Sequence, residues 1–154
     1  MSRTSLRLAA LLIASALGCS RSAGPTVETT LPVAPGEAWD DARAALVRLD
    51  PAVKDATAVG SRASTAKAEV VVAGVRFQQL MITAPADRPR VRSVSLAAPP
   101  PSGDCAKIRS ELLRALGPAW SEGETRLGAT LATRESRVAR IVCNGAELSL
   151  TIAG

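Results

Sequence analysis

The sequence predicts an α+β domain in which two helices pack on an antiparallel sheet, in the order α-βββ-α-βββ. Residues 36–50 and 104–116 carry apolar side chains at spacings of three and four, which is typical of helices with one buried face. Residues 69–98 and 126–153 carry strand-length apolar runs separated by turn residues, which is typical of antiparallel meanders. Each helix therefore precedes a group of three strands, and we expect both helices on one face of the sheet.

The first twenty residues have the pattern of a secretory leader. Arg3 and Arg7 precede an apolar run of about ten residues, 8–17, which falls within the usual length for the apolar region of a signal peptide. A membrane-spanning helix needs about 20 apolar residues, so this run is too short to span a bilayer. We therefore expect residues 1–18 to be a cleaved signal peptide; the alternative is a buried N-terminal helix.

Residues 16–19, Ala-Leu-Gly-Cys, resemble the lipobox of bacterial lipoprotein precursors. The resemblance implies that Cys19 carries a diacylglycerol and a further acyl chain such as palmitate, and several chains together anchor a protein far better than one. Because Ser20 rather than Asp follows, it also implies the outer membrane, with the domain facing the periplasm. Residues 14–16, Ala-Ser-Ala, fit ordinary signal peptidase instead, and cleavage after Ala16 would release a soluble secreted protein.

The segment after the leader is predicted to connect the anchor to the domain. Pro25, Pro32 and Pro35 prevent a continuous helix, so residues 19–35 are expected to be the acylated N-terminus and a flexible tether. An edge strand within this segment, over 27–33, is the alternative. Residues 36–154 then form a single α+β periplasmic domain, and this length is sufficient for a hydrophobic core.

The first helix and the strands after it follow from local patterns. Trp39, Ala42, Leu46 and Leu49 form one apolar stripe within 36–50, and Asp50-Pro51 ends the helix. Residues 52–68 have little pattern and are expected to be a connection, with a short strand around 56–60 as the option. The first group of strands is predicted at 69–72, 75–84 and 90–98, with turns at 73–74 and 85–89.

The second half repeats the order. Cys105, Ile108, Leu112 and Leu116 face one side of the helix over 104–116, and Gly117-Pro118 ends it. Residues 120–125 are expected to be a loop, followed by strands at 126–133, 138–143 and 146–153, with Asn144-Gly145 as a type I′ hairpin turn. Residues 82–96 and 131–143 share a strand, a charged turn and an Arg-Val-x-x-Val or Arg-Val-x-x-Ile run, which suggests an internal repeat.

This order of elements resembles two known folds. A helix followed by a meander, used twice, is similar to the fold of β-lactamase inhibitor protein. A tethered domain of helices and sheet also resembles the small lipoprotein subunit of the outer-membrane barrel-assembly machinery. Both resemblances rest on the element order over 36–154 and not on a shared motif.

The cysteines fit an oxidising compartment. Of the three, Cys19 is assigned to acylation, which leaves Cys105 and Cys143 as a pair. A bridge between them would contribute about 4 kcal/mol to stability by closing a long loop. The alternative is two buried free thiols.

The composition disfavours most enzyme classes. The chain has no histidine and no tyrosine, and it carries no phosphate-binding glycine loop and no nucleophile elbow. Ser64 and Lys67 have the S-x-x-K spacing of a serine–lysine dyad, but no companion motif accompanies them. We expect no enzyme, cofactor or metal site, and no nucleic-acid partner, because one Phe and two Trp offer few surfaces on which bases could stack.

Two groups of arginines form the remaining candidate site. Arg88, Arg90 and Arg92 alternate along one predicted strand edge, and Arg134, Arg137 and Arg140 occupy a similar turn in the second half. Together they could attract lipid headgroups or an acidic partner; the alternative is a solvated strand face that discourages edge pairing. The sequence thus predicts a membrane-anchored, non-catalytic module that binds an envelope protein. The alternative function is inhibition of a hydrolase through the loop at 85–89 or at 120–124, the latter presenting Trp120.

Overall fold

The computed structural model describes residues 27–154, apart from the side chains of Glu28 and Thr29. The predicted signal peptide, 1–18, and Cys19 lie outside the described residues. The helices are α1 (Val27–Thr30), α2 (Trp39–Leu49) and α3 (Cys105–Leu116). The strands are β1 (Lys54–Ala58), β2 (Ser61–Val72), β3 (Val75–Pro85), β4 (Ser93–Ala98), β5 (Ser121–Arg126), β6 (Ala129–Arg134), β7 (Arg137–Cys143) and β8 (Leu148–Ala153).

All eight strands form one antiparallel sheet in the order β1-β2-β3-β4-β8-β7-β6-β5. The prediction of an α+β fold is therefore confirmed, but the count of three strands after each helix is wrong, because each of the two longer helices precedes four. Each half is a four-stranded meander, and the last strands of the halves, β4 and β8, join them at the centre. The repeat unit is thus α2 to β4 and α3 to β8. The sequence likeness between 82–96 and 131–143 does not follow it, because the first range is the β3–β4 hairpin and the second is the β6–β7 hairpin.

The two strands beyond the predicted six are β1 and β5, which lie at the two edges of the sheet and carry no apolar alternation. All residues of β1 and β5 are exposed, so neither strand shows the alternation by which strands are recognised. The expected connection at 52–68 is in fact β1 and the first part of β2, and the expected loop at 120–125 is mostly β5. Within β2, the buried residues Ser64 and Ala66 are small, which conceals the period of two.

The predicted tether is also too long. Val27 and Val33 are buried in the core, and α1 packs against β2 and α3. The prolines of this segment prevent a long helix, as expected. The short helix α1, a single turn, nevertheless fits between Pro25 and Pro32. The folded domain therefore includes at least the nine residues before the predicted boundary at residue 36.

Helices α2 and α3 bury most of the faces that their sequences predict, but Leu49 of α2 is 46% exposed, and Cys105 and Ile108 of α3 are only partly buried. Trp39, Ala42 and Leu46 of α2 are buried, and so are Leu112 and Leu116 of α3. The side chain of Asp104 caps α3 by accepting a hydrogen bond of 2.8 Å from the backbone N–H of Ala106. Helix α2 packs on β2 and β3, while α3 packs on β7.

The strand register shows which face of the sheet the helices cover. One row of directly opposed residues across the sheet is fully buried: Ser64, Ile82, Val94, Ile152, Ala139 and Ala132. The adjacent row on the opposite face is only partly buried or exposed: Thr65, Met81, Ser95, Thr151, Arg140 and Leu131. Side chains of neighbouring residues point to opposite faces, so the buried row lies on the helix side. Val142 of β7 is the exception among these strands, because it is buried on the opposite face.

Two-residue turns connect several strands. Ala73-Gly74 and Leu127-Gly128 both have positive φ at each position, as a type I′ turn requires. The type I′ turn predicted at Asn144-Gly145 is wrong, because neither residue has positive φ. The Asn144 side chain instead accepts hydrogen bonds of 2.8 and 2.9 Å from the N–H groups of Ala146 and Glu147, which makes a longer side-chain-stabilised turn.

Candidate binding surfaces

The loop between β3 and β4 lines a cleft at one end of the sheet. The cleft has a volume of about 670 Å³ and includes all three arginines of the predicted anion patch, Arg88, Arg90 and Arg92. All three are exposed, and they lie in the loop 86–92 and not on a strand as the alternation suggested. The remaining lining residues are Gly36, Pro85, Asp87, Pro89, Val91 and Gly154.

Backbone hydrogen bonds hold this loop on both sides. The start of α2 and the segment before it bind the loop through two donors, Trp39 N–H to the Pro89 carbonyl at 2.8 Å and Gly36 N–H to the Val91 carbonyl at 2.8 Å. Arg92 N–H donates to the Thr83 carbonyl at 2.7 Å. Val91 is buried at the base of the loop. Because its backbone is fixed, the loop presents its arginine side chains from defined positions.

Part of the second group of arginines lies at the same end of the sheet. Gly154 N–H donates to the Arg92 carbonyl at 3.0 Å, and the Arg137 side chain approaches within 3.3 Å of the Cβ position that a side chain at residue 154 would occupy. Arg134 is paired with Arg137 across the β6–β7 hairpin. Arg140 does not join this group, since it lies in the middle of the uncovered sheet face. The structure thus brings together five of the six arginines singled out from the sequence.

Two tryptophan rings make cation–π contacts with arginines at this end of the sheet. The Arg62 guanidinium lies 4.5 Å from the centroid of the Trp39 ring, and that of Arg134 lies 5.3 Å from the Trp120 ring. A terminal nitrogen of Arg62 also donates to the Arg88 carbonyl at 2.9 Å. Trp120 is 9% exposed. A protruding loop that presents Trp120 is therefore excluded, because the ring is part of the core.

The uncovered face of the sheet is a second candidate surface. Its central strands carry small side chains, some of them linked across strands: the hydroxyls of Thr83 and Ser93 are 2.6 Å apart, and those of Ser95 and Thr151 are 2.9 Å apart. Leu131 and Val138 are 44% and 41% exposed on the same face.

A groove of about 360 Å³ crosses this face near β5, β6 and β7. Apolar lining comes from Leu127, Leu131 and Val142, while Arg126 and Arg140 add positive charge. Arg126 forms an exposed ion pair with Glu124, with 2.7 Å between Nε and Oε1. The paired strand positions on the uncovered face also include Lys54 and Lys67. With Arg126 and Arg140 these are four basic groups, against the carboxylates of Glu124 and Glu147 that line the groove.

The serine–lysine dyad that the S-x-x-K spacing would allow does not form. Ser64 is fully buried beside α2, and its hydroxyl donates to the Asp55 carboxylate, whereas Lys67 is exposed three positions along β2. An odd spacing on a strand places the two side chains on opposite faces. The S-x-x-K spacing would have brought them together only on a helix.

Asp55 instead connects α2 to the edge of the sheet. Arg43 Nε donates to its two carboxylate oxygens at 3.1 and 3.2 Å. The hydrogen bonds from Arg43 and then from Ser64 hold the pKa of Asp55 below its usual value, and the same contact raises the pKa of Arg43. Backbone N–H groups of Lys67 and Ala52 lower the pKa of Asp50. These contacts hold β1 and the first part of β2 against α2.

Cys105 and Cys143 form the disulfide that was predicted from the cysteine count, with 5.4 Å between the Cα atoms. It joins the first turn of α3 to the last residue of β7. Within residues 27–154, no group of three or more His, Cys, Asp and Glu residues could hold a metal ion. In the same range, no helix has both the length and the apolar content needed to cross a membrane.

These surfaces cannot be assigned by similarity. The chain matches no family model, no curated protein and no solved structure.

Proposed function

We propose that this protein is a lipid-anchored, non-catalytic binding module of the bacterial envelope that uses the uncovered face of its sheet to bind an envelope protein. The observation that carries this proposal is the sheet itself. Its helix side is closed by α1, α2 and α3, while the opposite side leaves Leu131 and Val138 partly in solvent. Apolar side chains grouped on an otherwise polar face are typical of protein contact sites.

The charge of this face indicates the partner. Lys54, Lys67 and Arg140 are exposed on it. Complementary charge accelerates association and selects the partner, so the surface that binds here is expected to be acidic around a small apolar centre.

The test is capture from detergent-solubilised envelopes with two matched double variants. Leu131→Glu/Val138→Glu places two acidic groups on the uncovered face. Val47→Glu/Leu49→Glu places them on α2, where the original side chains are 37% and 46% exposed, close to the 44% and 41% of the first pair. The proposal predicts that the wild type and the α2 variant capture the same protein and that the sheet variant loses it. Loss by both variants, or by neither, would contradict it.

The anchor is tested separately by the intact mass of the native product. We expect an N-terminal Cys19 that carries a diacylglycerol and an amide-linked acyl chain, together with loss of membrane association in Cys19→Ser. A mature N-terminus at Leu17 with unmodified Cys19 would instead indicate a soluble secreted protein.

A second candidate function, inhibition of an envelope or secreted hydrolase, is favoured by the loop at 85–89. Residues 86–89 are exposed, and the loop is fixed at both ends by the bonds from Ala86 N–H to the Gly60 carbonyl at 3.0 Å and from Trp39 N–H to the Pro89 carbonyl at 2.8 Å. A rigid exposed loop can enter an active site with little reorganisation. Stoichiometric inhibition of a periplasmic peptidase that is abolished by Arg88→Ala would support this function, and absence of inhibition across such peptidases would exclude it.

A further inference from the structure

One hairpin tip beside the arginine cleft exposes an aliphatic side chain completely. Val59 lies between β1 and β2 and is fully exposed. The tip is attached to the arginine loop, because the Gly60 carbonyl accepts the hydrogen bond of Ala86 N–H at 3.0 Å. Val59 and the loop 86–92 are therefore parts of one fixed surface at the same end of the sheet.

The charged groups of this surface suit phosphate. Arg88, Arg90 and Arg92 are exposed around the cleft, and Asp87 is the one carboxylate side chain among its lining residues. Arg90 also donates to the Gly36 carbonyl at 2.8 Å, which orients its guanidinium and leaves other N–H groups available. The planar guanidinium matches the geometry of phosphate oxygens, which it can bind through two parallel hydrogen bonds.

The chain also limits how far this surface can lie from an anchor at Cys19. Val27 is buried in the folded core, and only seven residues separate it from Cys19. A fully extended chain reaches at most about 3.6 Å per residue, so the core begins within about 30 Å of the acylated residue. Gly36, nine residues later, already lines the arginine cleft.

We propose that the arginine cleft and Val59 together form a membrane-contact site, in which the arginines bind the phosphates of anionic phospholipid headgroups and Val59 enters the interface between headgroups and acyl chains. The location of this site next to a bilayer rests on the proposed anchoring at Cys19. The binding itself does not, since it belongs to residues 59–92 of the folded domain. Basic residues beside an exposed aliphatic group are the combination that binds peripheral proteins to anionic membranes.

The second half of the molecule provides an internal control. Leu127 occupies the tip of the β5–β6 hairpin, which corresponds to the tip at Val59, and it is 99% exposed. It lies at the opposite end of the sheet, near Glu124 and Glu147. Arg126 and Arg140 line the groove beside Leu127, but Glu124 and Glu147 line it as well, and Arg126 is paired with Glu124. An exposed aliphatic tip whose neighbouring arginines are balanced by carboxylates is expected to contribute little to binding an anionic membrane.

The experiment measures vesicle flotation of the chain from residue 19 onward carrying Cys19→Ser, which removes any acyl chain and retains the whole described core. The vesicles contain phosphatidylcholine alone or phosphatidylcholine with phosphatidylglycerol. We expect binding only to the anionic vesicles, weakened at least about tenfold by Arg88→Gln/Arg90→Gln/Arg92→Gln. The control Arg48→Gln/Arg76→Gln/Arg126→Gln removes the same charge elsewhere and should reduce binding far less. An equal loss in the two triple variants would overturn the proposal.

The tips provide the second comparison. Val59→Ser is expected to weaken vesicle binding about threefold to tenfold by removing the buried aliphatic group, while Leu127→Ser leaves binding unchanged. If Val59→Ser has no effect and millimolar inorganic phosphate abolishes vesicle binding, the ligand is a soluble anion and the membrane proposal is wrong. Because the protein is unacylated and its sheet face is intact, failure here leaves the proposed partner binding and the proposed anchor untouched.

Discussion

The two halves of the domain share an order of elements but differ in the loop before their last strand. In the first half, seven residues with three arginines connect β3 to β4, whereas four residues, 144–147, connect β7 to β8. Both loops begin at a corresponding bond: the Gly60 carbonyl accepts from Ala86 N–H at 3.0 Å, and the Gly128 carbonyl accepts from Cys143 N–H at 2.9 Å. In the second half, the connection to the last strand contains no arginine. The three arginines of the first half are therefore not needed to connect the last two strands of a meander.

The halves also differ in how each helix is attached to its strands. Helix α2 is connected to the edge of the sheet through the Arg43–Asp55 ion pair and the buried Ser64 hydroxyl. Helix α3 is joined to β7 by the disulfide, and Arg109 donates to the Cys143 carbonyl at 3.0 Å beside it. The first connection depends on charge and the second is covalent, which makes the two halves sensitive to different conditions.

The largest effect is expected from removing the disulfide. Cys105→Ala/Cys143→Ala opens a loop with a sequence separation of 38, which should lower the free energy of unfolding by about 4 kcal/mol. Urea unfolding of the variant and of the wild type, each with and without reductant, measures this. The variant should not respond to reductant, and a wild type that does not respond either would show that the bond does not stabilise the fold.

Truncation of one buried leucine in each helix compares the packing of the halves. Leu46 in α2 and Leu112 in α3 are both fully buried, so Leu46→Ala and Leu112→Ala should each cost about 3 kcal/mol. Leu49→Ala, at an exposed position of α2, is the control and should change stability by less than about 0.5 kcal/mol. A much smaller loss for Leu112→Ala than for Leu46→Ala would mean that the disulfide, and not side-chain packing, holds α3.

A pH effect is expected in the first half. The pKa of Asp55 is lowered in the folded state, mainly by the hydrogen bond from Arg43 and then by that from Ser64. The ionised form therefore stabilises the fold above the unfolded pKa of about 4, and this contribution is lost as pH falls towards the folded pKa. Asp55→Asn retains an acceptor for Ser64 but removes the charge, so urea unfolding should become less dependent on acid.

The corresponding exposed ion pair in the second half is the control. Arg126 and Glu124 are 80% and 70% exposed, compared with 41% and 49% for Arg43 and Asp55. Solvent screening leaves such pairs with little energy, so Glu124→Gln should leave the stability near that of the wild type at every pH. An equal acid response in both variants would contradict the assignment to Asp55.

The smallest effects are expected at the two hairpin tips. Val59 and Leu127 contact little in the folded domain, so Val59→Ser and Leu127→Ser should change the free energy of unfolding by less than about 0.5 kcal/mol. Thermal unfolding checks this. If stability is unchanged in both, a difference between the two variants in vesicle binding reports the membrane contact alone.

Elements that bury large apolar side chains could be predicted from the sequence, whereas the exposed edge strands could not. The stripes of Trp39 and Leu46 and of Leu112 and Leu116 identify both longer helices, and the disulfide follows from an even pair of cysteines. Strand β1 was predicted only as an optional short strand around 56–60, and β5 was predicted as a loop, because an edge strand with every residue exposed needs no apolar alternation. The arginine group was found as a pattern, but its convergence depends on the pairing of β4 with β8, which brings Gly154 next to Arg92 and is not encoded locally.

The uncovered face of the sheet is tested most directly by site-specific photocrosslinking in living cells. A photoreactive amino acid at Leu131 or Val138 probes this face, and one at Val47 or Leu49 probes the outer surface of α2 at similar exposure. We predict one discrete crosslinked envelope protein from both sheet positions and none from the helix positions. The same adduct from α2, or no adduct from the sheet in cells where the protein is stably present, would contradict the proposed binding face.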